Sequence, residues 1–316
     1  MKHPLIFYTE YLAGKKQEKE KYRLGDYEYW KQHPSFNRKN VLRPDEFSTY
    51  LQKQLIPSQP FMVSRFGANE LACLRDFDFE RTSKEDAVLK NMAINAGFFP
   101  ADAQHGKQFA ELMKAYIPSA DIMAIWPQPF ESYYLKHYGA PDLSYTWLRC
   151  LSPWENAANP WTKVLCGKKV LVIHPFAESI QSQYLKREKI WPGTEILPEF
   201  QLETFKAVQT SAGEKDSRFH DWFEALKWME EETLKKDFDI ALIGCGAYGM
   251  PLAAELKRAG KEAIHLGGVI QILFGIMGSR WENDPIIQKY RNSSWIRPLP
   301  SETPKGSDQV EHSCYW

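Results

Sequence analysis

The chain has 316 residues, of which 40 are basic and 40 acidic, and 43% are hydrophobic. That length supplies a sizeable α/β core without disulfide staples, and the balanced charge excludes a global field that would draw in nucleic acid or an anionic surface. Any polyanion contact must be local.

Five cysteines (Cys73, Cys150, Cys166, Cys245, Cys314) are scattered and odd in number, without C-x-x-C or metal-finger spacing. They read as reduced thiols of a cytoplasmic protein. The first residues, MKHPLIFYTEYLAGKKQEKEKY, hold too short an apolar run for a secretory signal, and no stretch reaches the roughly 20 apolar residues that cross a bilayer. Aromatic residues make up 14% of the chain, 11 of them Trp. Core and loop anchoring accounts for them, and stacking on sugar rings is compatible with them.

Residues 1–58 are polar, aromatic and irregular. Pro34, Pro44 and Pro57 should break any long helix, leaving short helices that wrap a core. At Pro60 the character changes. Phe61 to Phe66 reads as a strand, Gly67 as its turn and Ala68 to Arg75 as a helix, a unit that carries Arg65 and Glu70. Ser83 to Tyr116 reads as two helices parted at Asn95–Pro100, and Asp121 to Trp126 as a short strand. Phe130 to Pro160, rich in Tyr, Trp and Pro, reads as loops and a helix over one sheet edge.

Lys168 to Ile173 is the clearest strand, closed by His174-Pro175, with a helix expected from Ala177 to Lys189. A strand is expected within Leu202 to Thr210. On a helix over Phe219 to Lys236, Trp222, Leu226 and Met229 share a core face. Asp239 to Ile243 is a strand, and Gly244-Cys245-Gly246-Ala247-Tyr248-Gly249 then spells G-x-G-x-x-G before a helix ending at Gly260. Such a loop lets backbone approach a phosphate and points helix N-terminal N–H groups at it. A dinucleotide fold would place a carboxylate about 20 positions further on. Ile264-His265-Leu266-Gly267-Gly268 stands there instead, which argues against ordinary NAD or methyl-donor binding. Val269 to Met277 reads as a buried helix, and residues from Asn283 onward as an extended, Pro-rich tail through Val310-Glu311-His312.

Strands alternating with helices predict an α/β fold, Rossmann-like, with a mostly parallel sheet and helices on both faces. The expected organisation is one domain: a wrap over 1–58, a core over 59–282 and a tail over 283–316. Ligands of such sheets sit beyond the carboxyl ends of the strands, so four turns should share a rim: Arg65–Glu70, His174–Ser179, Gly244–Gly249 and His265–Gln271. On that rim Arg65 can neutralise phosphate and Glu70 can act on a metal, a hydroxyl or a proton, although Glu70 also suits a helix first turn. His174 is a candidate base, with Glu178 and Ser179 beside it, or simply a satisfied loop histidine. His265, just before Gly267-Gly268, can face the same rim or be another satisfied loop histidine, and Gln271 can read a sugar or base edge. Arg280 suits a diphosphate or a surface pair with Glu282. No H-E-x-x-H, Walker lysine or ordered triad is readable.

Three segments, SRFGANE (Ser64–Glu70), LVIHPFAESIQSQY (Leu171–Tyr184) and IGCGAYGMPLAAELKRAGKEAIHLGG followed by FGIMGSRW, resemble the GT-D-type glycosyltransferases of bacterial capsule and surface-polysaccharide loci. The resemblance runs from about Phe61 to Trp281. It implies sugar transfer from a nucleotide-diphosphate donor, with a UDP-sugar expected first. The acceptor would be a glycan or a lipid-linked oligosaccharide, in the cytoplasm at the inner face of the membrane, with peripheral membrane association. Donor contacts would come from Arg65, Gly67, Asn69, Glu178, Ser179, Gly244, Gly246, Tyr248, Gly249, His265, Gly268, Gln271 and Arg280, and the base from Glu70 or His174. The family pattern R-x-G-D-G-E holds Mn or Mg through its D-x-E carboxylates. Here Ala68 and Asn69 replace Asp and Gly, leaving Glu70 as the one ligand of that pair. The alternative reading is a catalytically inactive nucleotide- or glycan-binding subunit of an assembly complex.

Overall fold

The computed structural model describes residues 4–55, 59–214, 216–311 and 313–316. Nine strands form one sheet: β1 (Ser35–Phe36), β2 (Lys39–Leu42), β3 (Phe61–Ser64), β4 (Ile122–Ile125), β5 (Ser144–Trp147), β6 (Lys169–His174), β7 (Gln201–Lys206), β8 (Ile240–Ile243) and β9 (Glu262–His265). Their order is β1-β2-β5-β4-β3-β9-β8-β6-β7, and every neighbouring pair is parallel except β1 with β2. The α/β class and mostly parallel sheet expected from the sequence are present.

Strands β3, β4, β8 and β9 are buried at every position. This explains why β3, β4 and β8 read as largely continuous apolar runs rather than alternating ones, since helices cover both faces of a parallel sheet. The helix Gly249–Arg258 packs on β3 and β9 and against the helices Ala103–Tyr116 and Trp222–Leu234. Trp222, Leu226 and Met229 point into that layer, as their spacing predicts. The helix Ala177–Tyr184 packs on β6 and β7. From β6 the chain crosses outward to β7, whereas from β8 it crosses inward to β9. Right-handed crossovers in opposite directions place the two helices on opposite faces, so the loops after β6 and β8 diverge and open a crevice.

The N-terminal part departs from expectation. Pro4–Leu24 is a single helix of 21 residues, and Pro44 opens the helix Pro44–Gln54 instead of breaking one. Proline at the first helical position forfeits no intrahelical hydrogen bond. Pro57 lies outside the described residues. Strands β1, β2 and β5 add an edge to the sheet, the first two where short helices were expected and the third where loops and a helix were. The helix expected over 177–189 divides into Ala177–Tyr184 and Arg187–Ile190. The helix expected from Val269 ends at Leu273, and Gly275 follows in a left-handed turn. The tail contains a helix, Pro285–Tyr290, whose N-terminus is capped by the Asp284 carboxylate at 2.9 and 3.1 Å; His312 lies outside the described residues. Among the described residues no helix is long and apolar enough to cross a membrane.

Candidate functional site

A cavity of about 1070 Å³, counted to its open mouth, lies beyond the carboxyl ends of the strands. It is built from the ends of six of them. Arg65 follows β3, Trp126 follows β4, His174 ends β6, Val208 to Ser211 follow β7, Gly244 follows β8 and His265 ends β9. Parallel strands in register deliver these residues to one rim, which is why positions scattered over two hundred residues of chain meet.

The glycines of the rim permit close approach of backbone. A Cβ at Gly244 would stand 2.6 Å from the Gly267 carbonyl and 2.8 Å from the His174 ring, and Gly246 holds φ +59 beside the Ala96 carbonyl. The loop leads into a short 3-10 turn, Gly246–Tyr248, and then the helix Gly249–Arg258. Its first-turn N–H groups have no intrahelical acceptor. Gly249 does not line the cavity: it makes room for the His265 ring, which a Cβ there would overlap. At Gly268 a Cβ would meet Tyr315 at 2.8 Å.

Arg65 and Glu70 face the cavity together with Gly67 and Asn69. The Arg65 Nε is buried without a hydrogen-bond partner, and the guanidinium lies 5.3 Å from the Trp126 ring centre. Desolvation lowers the Arg65 pKa despite the attraction of Glu70. Desolvation raises Glu70, against the opposing pull of Arg65, which makes its carboxylate a stronger proton acceptor. Three further buried polar atoms on cavity-lining side chains lack partners, Asn95 Oδ1, Tyr248 Oη and Gln271 Oε1. Orphaned groups clustered around a cavity mark places where a ligand can supply the missing bonds.

Burial holds His174 and His265 neutral. The Phe176 N–H donates to His174 Nδ1 at 3.0 Å, so the ring proton resides on Nε2, and burial drives the pKa down to about 3. This corrects the expectation of His174 as a base: with Nδ1 occupied and Nε2 protonated, it presents a hydrogen-bond donor. His265 shares a hydrogen bond between Nδ1 and Ser64 Oγ at 3.2 Å, and burial, aided by Arg65, also takes it down to about 3.

Glu178 and Ser179 do not line this cavity. The buried Glu302 carboxylate from the tail accepts hydrogen bonds from the Glu178 N–H at 2.9 Å, the Ser179 N–H at 3.2 Å and the Ser179 hydroxyl. That helix N-terminus already holds its anion, so a donor phosphate has no place there. The Glu178 side chain turns outward to Lys206 at 3.2 Å.

The tail also closes one side of the cavity with Val310, Glu311, Tyr315 and Trp316. Arg280 pairs with Glu311 and donates to the Tyr315 hydroxyl at 3.4 Å, whereas Glu282, its expected partner, pairs with Arg297. Gln271 donates from Nε2 to the Tyr315 carbonyl at 3.0 Å. It therefore positions the tail with one end of its amide and leaves the oxygen unpaired.

No family model, curated protein or solved structure matches the chain.

Several of these residues escaped sequence reasoning. Trp126 ends an apolar run before Pro127, and the strand-end rule that selected Arg65 and His174 would have found it. Asn95 lies in the last turn of the helix Thr82–Ala96, where nothing in the sequence points it inward. Glu311, Tyr315 and Trp316 had no local signal. Mn or Mg is not fitted by this donor set: among the described residues no group of three or more His, Cys, Asp and Glu gathers to hold a metal ion. The strongest charge acting on Glu70 is the Arg65 guanidinium, ahead of the Glu311 carboxylate, which is not the paired-carboxylate setting of an oxygen-ligand metal site.

Proposed function

We propose that this chain is a glycosyltransferase of the GT-D kind, moving a sugar from a nucleotide-diphosphate donor to a glycan acceptor in surface-polysaccharide assembly on the cytoplasmic side of the membrane. The observation that carries the reading is the Arg65 guanidinium, with an unpartnered Nε, beside Glu70 in a cavity at the sheet's crevice. A cation held with hydrogen-bonding capacity to spare is suited to a phosphate oxygen, because guanidinium geometry matches two oxygens at once.

In this reading the diphosphate lies between Arg65 and the first-turn N–H groups after Gly246. The His174 Nε2–H donates to the bound donor. The acceptor oxygen bonds to the anomeric carbon as the bond from that carbon to the diphosphate oxygen breaks. Glu70 receives the hydroxyl proton, and Arg65 with the backbone N–H groups meets the charge left on the diphosphate. Calorimetry with UDP-, GDP-, CDP- and TDP-sugars tests the reading, and no heat with any donor would reject it.

Ala68, standing where a D-x-E aspartate would be, favours a second reading: a subunit that binds a nucleotide sugar or glycan without turning it over. Donor binding with no transfer, together with copurification of an active transferase, would select it.

A further inference from the structure

Among the described residues, the exposed large hydrophobic side chains are Leu5, Ile6, Tyr8, Leu12, Tyr22 and Leu185, and all but Leu185 belong to the helix Pro4–Leu24. Leu5 is 76% and Tyr22 is 92% exposed. The inward face of this helix is occupied. Phe7 packs on Phe79 and Phe130 at ring distances of 5.5 and 5.0 Å, and Gly14 lies against Pro129. The outward face is laid out by steps of three and four residues: Leu5, Tyr8, Leu12, Lys16, Lys19 and Arg23, all exposed. Its first half is apolar and its second half cationic.

The acidic residues of this helix lie off that face. Glu10, Glu18 and Glu20 are partly covered, Glu18 pairs with Lys15 at 2.7 Å and Glu20 with His33 at 3.6 Å. No exposed residue of the helix is acidic. In a chain with no net charge, this is a local strip of one sign.

We propose that this strip docks the protein on an anionic lipid bilayer. Charge complementarity decides between occupants. Phosphate headgroups meet Lys16, Lys19 and Arg23, while Leu5, Tyr8 and Leu12 enter the boundary between headgroups and acyl chains. A second copy of the strip brings no carboxylate to pair with these cations. Side by side it would set like charges together, and reversed it would set leucines against lysines. The opposite face of the same helix touches a residue that lines the cavity: Lys21 Nζ lies 5.9 Å from the ring centre of Trp126. Docking therefore holds a cavity residue about one helix diameter, ~10 Å, from the bilayer surface.

The test is cosedimentation of the full chain with phosphatidylcholine vesicles, with and without phosphatidylglycerol, in the absence of nucleotide or sugar. Binding is expected only to the anionic vesicles and should weaken with salt. Joint replacement Lys16→Gln, Lys19→Gln and Arg23→Gln should lower vesicle affinity roughly 100-fold. Leu5→Ser with Leu12→Ser should lower it roughly 10-fold, both with unchanged circular dichroism and melting. Absence of binding to anionic vesicles at low salt, or equal binding by wild type and both variants, overturns the proposal. So does a concentration-dependent dimer in sedimentation without lipid that the Leu variants abolish. Donor calorimetry in solution reports on sugar transfer independently, so either reading can fail alone.

Discussion

The Glu70 carboxylate lies directly over Gly67, in the space a side chain at Gly67 would need. The glycine is the first cap of the helix Ala68–Asp78 and its φ is −80, so it is not required for backbone conformation. It is required for the placement of Glu70. Gly67→Ala should displace the carboxylate and reduce sugar transfer about 100-fold, comparable to Glu70→Gln. The unfolding free energy should change by less than about 1 kcal/mol, because the displaced group is the end of a flexible side chain. Steady-state transfer assays beside urea unfolding would check both.

His174 and His265 make stability depend on acid. Each titrates near pH 3 in the fold, against 6.5 for the free side chain. The folded state therefore favours the neutral ring. The stabilisation is complete above pH 6.5 and is lost as pH falls from there toward 3. One such group contributes about 1.4 kcal/mol per pH unit within that window. Between pH 7 and 5 the wild type should lose about 2 kcal/mol more than His174→Gln, measured from urea midpoints.

Glu311 competes for a cation that a phosphate would use. Its pair with Arg280 is partly exposed, 47% and 40% by side chain, so the interaction is modest and salt-sensitive. Glu311→Gln should raise affinity for a nucleoside diphosphate by up to about 5-fold at low salt, with the gain vanishing at high salt. Calorimetry at two ionic strengths reads this directly.

Glu302 serves the fold rather than the ligand. Replacing it with Ala strands two N–H groups and a buried hydroxyl at the start of the helix Ala177–Tyr184. The expected cost is about 1–3 kcal/mol, visible as a lowered melting temperature, with donor affinity unchanged.

The parts of this molecule that were legible in the sequence are those whose signal is local. Strands β3, β4, β6 and β8 are short apolar runs between turns, and Arg65, His174 and Gly244 could be placed because each follows such a run. Strand β5, Ser-Tyr-Thr-Trp, lies in a stretch so aromatic that its pattern was indistinguishable from loop anchoring. The long first helix was missed because it exposes its apolar residues, which defeats a reading based on burial. Glu302 was beyond reach for a different reason: its partner Ser179 lies 123 residues away, and nothing near either residue announces the other. His174 shows the finer limit, since its place was readable but its tautomer depends on the neighbouring Phe176 amide.

The position of β3 has a consequence for biosynthesis. It stands mid-sheet, yet one of its two neighbours is β9, whose Glu262 pairs with Phe61. A ribosome releasing this chain must deliver some two hundred further residues before that edge is covered. Until then an apolar strand edge is open to other chains, the circumstance in which holding chaperones matter most. Expression yield should accordingly be more sensitive to translation rate and chaperone supply than the finished fold would lead one to expect.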